Sequence, residues 1–137
     1  MHEANFTYER DDDANMCGWL ELYVSAEGFT ATAQAYVTER QLAGLVPRLS
    51  AFPLTGASEL FGDSECGFSL SIAPRGEMGD LSVEFIVAMS KLNIVQRATL
   101  QLTTDYSALQ TFCTALSEAA RKGEGTAILT GKLAEGY

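Results

Sequence analysis

The chain has 137 residues, of which 47% are hydrophobic and 20% charged, and its formal net charge is −9. This size and composition are typical of one globular domain and exclude a disordered chain. Because proteins that bind nucleic acids or anionic membranes need clustered lysine and arginine, the excess of 18 acidic over nine basic residues argues against both kinds of partner.

The first 16 residues are predicted to form an irregular arm, in which Phe6 and Tyr8 fit at most a short edge strand. No basic segment followed by an apolar core marks a secretory signal. No apolar run approaches the length of about 18 residues that a membrane-spanning helix needs. Three scattered cysteines exclude a complete disulfide framework. We therefore expect a cytoplasmic protein with free thiols.

Two strands with alternating apolar and polar residues are predicted next. In the first, Leu20, Leu22 and Val24 share one face. A turn at Glu27-Gly28 leads into the second strand, over residues 29–37, whose inner face consists mostly of alanine. We expect these small side chains to leave room for a closely packed helix.

Thr38 and Gln41 form a capping-box pair at the start of the first amphipathic helix. Because Pro47 lacks a backbone donor and its ring clashes with the preceding turn, we expect the helix to kink or break near Val46. Pro53 is predicted to end it.

A connection over residues 53–67 follows, with a short strand at Leu60 and Phe61. Three alternating strands at a spacing of about 12 residues then predict an antiparallel meander. Its third strand places Gln96 among apolar neighbours, which needs an explanation if that face is the core.

Asp105 is a favourable N-cap for a second amphipathic helix, and Gly123 is a natural end for it. Residues 126–133 fit a last strand. The predicted fold is a single α+β domain over residues 1–137, with a mostly antiparallel sheet in the order ββα-βββα(β). Both helices are expected to pack on one face of the sheet.

The sequence contains no recognisable catalytic constellation. Its only histidine, His2, lies near the terminus, which argues against most serine, cysteine and histidine-metal arrangements. The cysteines are too scattered for a transition-metal site. Glu84 in the middle of a strand fits either an acid-base group or an ordinary surface residue. We therefore expect a non-enzymatic protein with no metal and no cofactor.

Three groups of side chains are candidate partner-binding sites. The first is the acidic run of Asp11, Asp12 and Asp13. The second is an acidic patch of Glu59, Asp63 and Glu65. The third is an aromatic group of Trp19, Tyr23 and Tyr36 on the outer side of the first two strands. The acidic groups suit a basic protein partner or are solvated loops. The aromatic group suits a partner site or packs under another segment.

Three parts of the sequence resemble a known family. They are residues 18–22 (GWLEL) with 28–31 (GFTA), residues 49–52 (LSAF) with 54–57 (LTGA) and Leu60, and residues 105–109 (DYSAL) with Phe112. Over residues 18–117 the chain resembles bacterial immunity proteins of the WapI kind, which protect cells from polymorphic toxins. The resemblance implies a non-catalytic α+β domain that binds and blocks a toxin. It identifies no toxin-contacting residue.

Two other functions stay open. One is a small-molecule-binding or enzymatic domain, with a pocket between sheet and helices beside the alanine-rich strand. The other is a structural homo-oligomer joined through strand edges or through the outer face of the sheet.

Overall fold

The computed structural model describes residues 2–12, 15–76 and 79–132. This part of the chain forms two helices and eight strands. In chain order they are β1 (Glu3–Arg10), β2 (Cys17–Ala26), β3 (Phe29–Thr38), α1 (Glu39–Leu49), β4 (Ala57–Gly62), β5 (Gly67–Arg75), β6 (Asp80–Lys91), β7 (Ile94–Asp105), α2 (Tyr106–Lys122) and β8 (Glu124–Thr130).

The strands form two four-stranded sheets. The first sheet has the order β3-β2-β1-β8 and the second the order β4-β5-β6-β7. All neighbouring strands are antiparallel, so the predicted α+β fold with antiparallel strands is confirmed. Each of the two runs of consecutive strands, β1–β3 and β4–β7, is followed directly by a helix, since α1 begins where β3 ends and α2 begins where β7 ends. The last strand, β8, then joins the first sheet beside β1.

The expectation of an irregular arm over residues 1–16 is wrong for the part that forms β1. This strand pairs with β2 on one side, from Glu3↔Ser25 to Arg10↔Gly18, and with β8 on the other. Its alternate residues Ala4, Phe6 and Tyr8 are buried. The alternation is short and local, and the second partner strand lies near the other end of the sequence, so the N-terminal residues alone do not reveal an inner strand.

Phe6 lies at the centre of the core. Its ring centroid is 6.4 Å from that of Phe61, 5.7 Å from Phe68, 6.1 Å from Phe85 and 5.0 Å from Phe112. Three of these rings belong to the second sheet and one to α2. The inner faces of both sheets and the helices therefore share one buried cluster.

The alanine-rich strand accommodates a neighbouring strand, which corrects the expectation of a closely packed helix there. Ala33 and Ala35 are only 6% and 3% exposed, and β3 contacts β4 of the second sheet. The Gly62 backbone comes so close that a Cβ built on it would lie 3.4 Å from the Ala35 Cβ. The small side chains let the two sheets approach, and the space at Ala35 is filled.

Both helices begin at the predicted caps. The Thr38 hydroxyl accepts a hydrogen bond of 3.0 Å from the Gln41 amide, and the Asp105 carboxylate accepts one of 2.9 Å from the Ala108 amide. The predicted break near Val46 is not observed: α1 continues through Pro47 to Leu49. Pro47 lies in the last turn, where only two more residues follow.

The β6–β7 hairpin projects beyond the rest of its sheet. The pairing of β5 with β6 ends at Gly67↔Ala88, whereas β6 and β7 stay paired up to Lys91↔Ile94. Gln96 lies in this projecting part and is exposed, which explains a polar residue in an otherwise apolar series. At the tip, Leu92 and Asn93 have φ angles of 53° and 64°, as a type I′ turn requires.

Candidate protein-binding face

The outer face of the first sheet, the acidic-aromatic face, carries the side chains that alternate with the core positions. On β1 they are Glu3, Asn5, Thr7 and Glu9, and on β2 they are Cys17, Trp19, Glu21, Tyr23 and Ser25. On β3 they are Thr30, Thr32, Gln34, Tyr36 and Thr38, and on β8 they are Glu124, Thr126, Ile128 and Thr130. Most of these positions are exposed.

The charges on this face all have the same sign. It presents the four carboxylates of Glu3, Glu9, Glu21 and Glu124, and these strands contribute no lysine, arginine or histidine to it. Carboxylates on neighbouring strands of one face repel each other modestly, and a positively charged partner relieves that repulsion.

One row of side chains crosses all four strands. Trp19 lies opposite Tyr36 on one side and opposite Glu9 on the other, and Glu9 lies opposite Glu124. The rings of Trp19 and Tyr36 contact edge to face, with centroids 5.2 Å apart and an interplanar angle of 75°. Trp19 is 49% exposed and Tyr36 43% exposed. The row therefore joins an accessible aromatic pair to two carboxylates.

Tyr36 connects this row to the predicted acidic run. Its hydroxyl donates a hydrogen bond of 3.1 Å to the Asp11 carboxylate. Burial and this hydrogen bond raise the pKa of Tyr36 above its ordinary value. Asp12 is exposed beside it, and Asp13 lies outside the described residues. Trp19, Tyr36 and the start of the acidic run thus share one end of the face.

Tyr23 lies elsewhere on the same face. It is opposite Thr32 and Asn5, whose side chains are uncharged, and it is 43% exposed. The structure therefore pairs two of the three predicted aromatic residues, Trp19 and Tyr36, and places the third four residues beyond Trp19 along β2.

The second predicted acidic patch is partly used inside the molecule. Arg48 donates a hydrogen bond of 2.8 Å to the Glu59 carboxylate. Asp63 accepts from the backbone amides of Glu65 and Cys66, both at 2.8 Å, and these bonds hold the pKa of the Asp63 carboxyl below its usual value. Within the described part of the chain, Asp63 and Glu65 keep their charge and only Glu59 is offset by an arginine, so this patch presents two unpaired charges, against four carboxylates on the acidic-aromatic face.

Sequence reasoning missed most of the carboxylates on the acidic-aromatic face. Glu3 and Glu9 belong to the segment expected to be an irregular arm, and Glu124 precedes the predicted last strand. The alternation of Glu3, Asn5, Thr7 and Glu9 with apolar residues is the signal that identifies them, once β1 is recognised as a strand.

A buried ionic cluster joins β1 to α1. Glu39 is 3% exposed, and its carboxylate accepts hydrogen bonds of 2.7 Å from the Tyr8 hydroxyl and 2.6 Å from Nη2 of Arg10. The Arg10 side chain packs against Gly123, where a Cβ would lie 2.6 Å from its Cζ. Among the described residues, every buried polar side-chain atom has a hydrogen-bond partner. The cluster therefore fits a structural joint between the first sheet and both helices.

The remaining side chains that were considered for catalysis or metal binding lie in separate parts of the molecule. Glu84 accepts a hydrogen bond of 3.2 Å from Gln101 on the outer face of the second sheet. The His2 side chain, 13% exposed, lies 3.3 Å from the Glu27 carboxylate, so it is packed into the fold. Within residues 2–12, 15–76 and 79–132, no three histidine, cysteine or carboxylate side chains are grouped as a metal site.

Neither α1 nor α2 is long and apolar enough to cross a membrane.

Comparison with known proteins adds no relative. A scan against protein-family models finds no family that matches the chain, and a search of the curated proteins finds no match. The resemblance to WapI-like immunity proteins therefore stays a prediction from the sequence.

Proposed function

We propose that this chain is a non-enzymatic protein-binding domain whose acidic-aromatic face docks a basic protein. The observation that carries this proposal is the composition of that face. It combines four carboxylates with exposed Trp19, Tyr23, Tyr36 and Ile128, and its strands place no basic side chain on it.

Each part of the face has a distinct role in such binding. Exposed aromatic rings supply contact area at a low cost in side-chain entropy and are frequent anchors of interfaces. The carboxylates attract a basic partner during encounter and disfavour acidic competitors. The face lies on a four-stranded sheet, so its side chains are held in place before the partner arrives.

An immunity role is the finer form of this proposal. A basic toxin whose active site rests on the acidic-aromatic face would be blocked by occlusion, without any chemistry by this chain. Support for this form is the resemblance of residues 18–117 to WapI-like immunity proteins, together with the charge of the face.

A titration with short basic peptides tests the proposal, and Trp19, the only tryptophan, serves as the fluorescent reporter. We expect saturable binding of octapeptides rich in lysine or arginine, and its affinity should fall as salt rises. Two matched variants remove the same charge from different places. One is Glu9→Gln with Glu21→Gln on the face, and the other is Glu65→Gln with Glu84→Gln elsewhere.

The face variant should weaken binding by about tenfold, which corresponds to about 0.7 kcal/mol for each lost carboxylate, whereas the control variant should bind like the wild type. Equal weakening by both variants would mean that only net charge matters. That result, or an absence of binding, overturns the proposal.

A further inference from the structure

We infer that the acidic-aromatic face receives one arginine side chain of its partner on the ring of Trp19, between Tyr36 and the carboxylates of Glu9 and Glu21. This inference rests on the proposed function and specifies the residue type that the face recognises and the place where it binds.

The aromatic pair provides the platform. Tyr36 contacts Trp19 edge to face at 5.2 Å, so the two rings form a corner and do not cover each other in a stack. Trp19 is 49% exposed, which leaves indole surface open to a ligand. Tyr36 is held in turn by its hydrogen bond to Asp11. The two rings are thus held in this arrangement before a ligand binds. A cation placed over the exposed indole ring gains a cation–π interaction.

Carboxylates border this platform on two sides. Glu9 lies directly opposite Trp19 on β1, where side chains of an antiparallel pair are about 5 Å apart at Cβ. Glu21 follows Trp19 by two residues on β2, which places it on the same face about 7 Å along the strand. A group lying on the indole ring is therefore within reach of carboxylate oxygens both across and along the sheet.

Arginine fits this arrangement better than lysine. Its guanidinium is planar, stacks on aromatic rings and has five N–H donors that match carboxylate oxygens. It is also more weakly hydrated than the ammonium group of lysine, so less hydration is lost on contact with the rings. A lysine offers a compact point charge that gains from the carboxylates and little from the planar platform.

Tyr23 offers a comparison on the same sheet. It has similar exposure to Tyr36, but Thr32 and Asn5 lie opposite it. Glu21 is two residues from Tyr23 along β2, as it is from Trp19. Since neither an aromatic ring nor a carboxylate lies across from Tyr23, it should not discriminate between arginine and lysine. Substitution of Tyr23 is therefore a matched control for substitution of Trp19.

The experiment compares octa-arginine with octa-lysine by isothermal titration calorimetry, which needs no tryptophan signal. The proteins are the wild type, Trp19→Leu, Trp19→Phe and Tyr23→Leu, each checked for folding by circular dichroism. We expect the wild type to bind octa-arginine about fivefold more tightly than octa-lysine. The ratio of the two affinities should fall to one in Trp19→Leu and survive in part in Trp19→Phe. In Tyr23→Leu the affinities for both peptides should fall together, so that their ratio stays that of the wild type.

The outcomes separate the two proposals. If both peptides bind the wild type equally, or if Tyr23→Leu removes the preference as well as Trp19→Leu does, the arginine site is wrong while a basic partner still stands. If neither peptide binds, or if the matched charge variants behave alike, the proposed function itself fails.

Discussion

The Tyr8 hydroxyl donates a hydrogen bond of 2.7 Å to the Glu39 carboxylate, which ties an inner strand of the first sheet to the first turn of α1. Arg10 donates to the same carboxylate through two nitrogens. Because Glu39 is buried, its charge is stabilised by these partners and not by water.

Glu39→Ala should be among the most damaging single substitutions near α1. It leaves the Tyr8 hydroxyl and the Arg10 guanidinium without their partner, and we expect the free energy of unfolding to fall by about 3 kcal/mol. Tyr8→Phe removes one hydrogen bond and should cost about 1 kcal/mol. Urea denaturation followed by Trp19 fluorescence measures both. A loss in Glu39→Ala no larger than in Tyr8→Phe would show that the ion pair contributes little.

The same cluster should make stability depend on pH. Hydrogen bonds from Arg10 hold the pKa of the Glu39 carboxyl below its ordinary value of 4.5. Since the folded pKa is the lower one, the stabilisation is complete above the unfolded value and is lost as the pH falls through the folded value. The difference in unfolding free energy between the wild type and Glu39→Gln should therefore shrink below about pH 4.5. A difference that stays constant from neutral pH down to acid unfolding would contradict this.

The role of β1 can be tested at its centre. Phe6 is buried among four other phenylalanine rings, so Phe6→Ala should lower the unfolding free energy by about 4 kcal/mol through lost contacts and an unfilled cavity. The neighbouring outer-face variant Thr7→Ala should change it by less than about 0.5 kcal/mol. Thermal unfolding of both proteins distinguishes an inner strand from an arm, since an arm would give small effects at both positions.

The tip of the β6–β7 hairpin offers a stabilising change. Leu92 has a φ of 53° and is 87% exposed, so a branched side chain occupies a left-handed position without gaining burial. The double substitution Leu92→Asn with Asn93→Gly provides the residues that a type I′ turn favours. We expect the unfolding free energy to rise by about 1 kcal/mol. A lower melting temperature would refute this interpretation of the turn.

The three cysteines should differ in reactivity. Cys66 is exposed, Cys17 is half-buried and Cys113 is buried, and burial raises the pKa of the Cys113 thiol. With a thiol reagent such as dithionitrobenzoate, Cys66 should react first and Cys113 only on unfolding. Cys66→Ser should remove the fast phase. Persistence of that phase in the variant would assign it to another thiol.

The amino-acid sequence alone was sufficient to predict the strands and helices whose partners are close in the chain. The β2–β3 hairpin and the meander of β5, β6 and β7 follow from alternation and turns, because each strand pairs with its sequence neighbour. The helix caps at Thr38 and Asp105 are equally local. β1 also pairs with its sequence neighbour β2, and its alternation is a local signal for a strand. No local pattern shows that residues 124–130 pair with its other edge and make it an inner strand.

The candidate site was partly predictable for the same reason. Trp19 and Tyr36 lie on neighbouring strands, so alternation alone placed both on one outer face. Glu124 reaches that face only through the pairing of β8 with β1, which no local pattern reveals. The burial of Glu39 was also hidden, because an acidic residue in the first turn of a helix is ordinarily solvated.

Because β1 pairs with β8, the acidic-aromatic face can be completed only late in the synthesis of the chain. On a ribosome, β1, β2 and β3 emerge while residues 124–130 have not yet been made, and β1 then has one unpaired edge. The row from Tyr36 to Glu124 is completed only when β8 takes that edge. A partner that contacts the whole row would therefore not bind nascent chains and would bind only molecules in which β8 has been synthesised and paired.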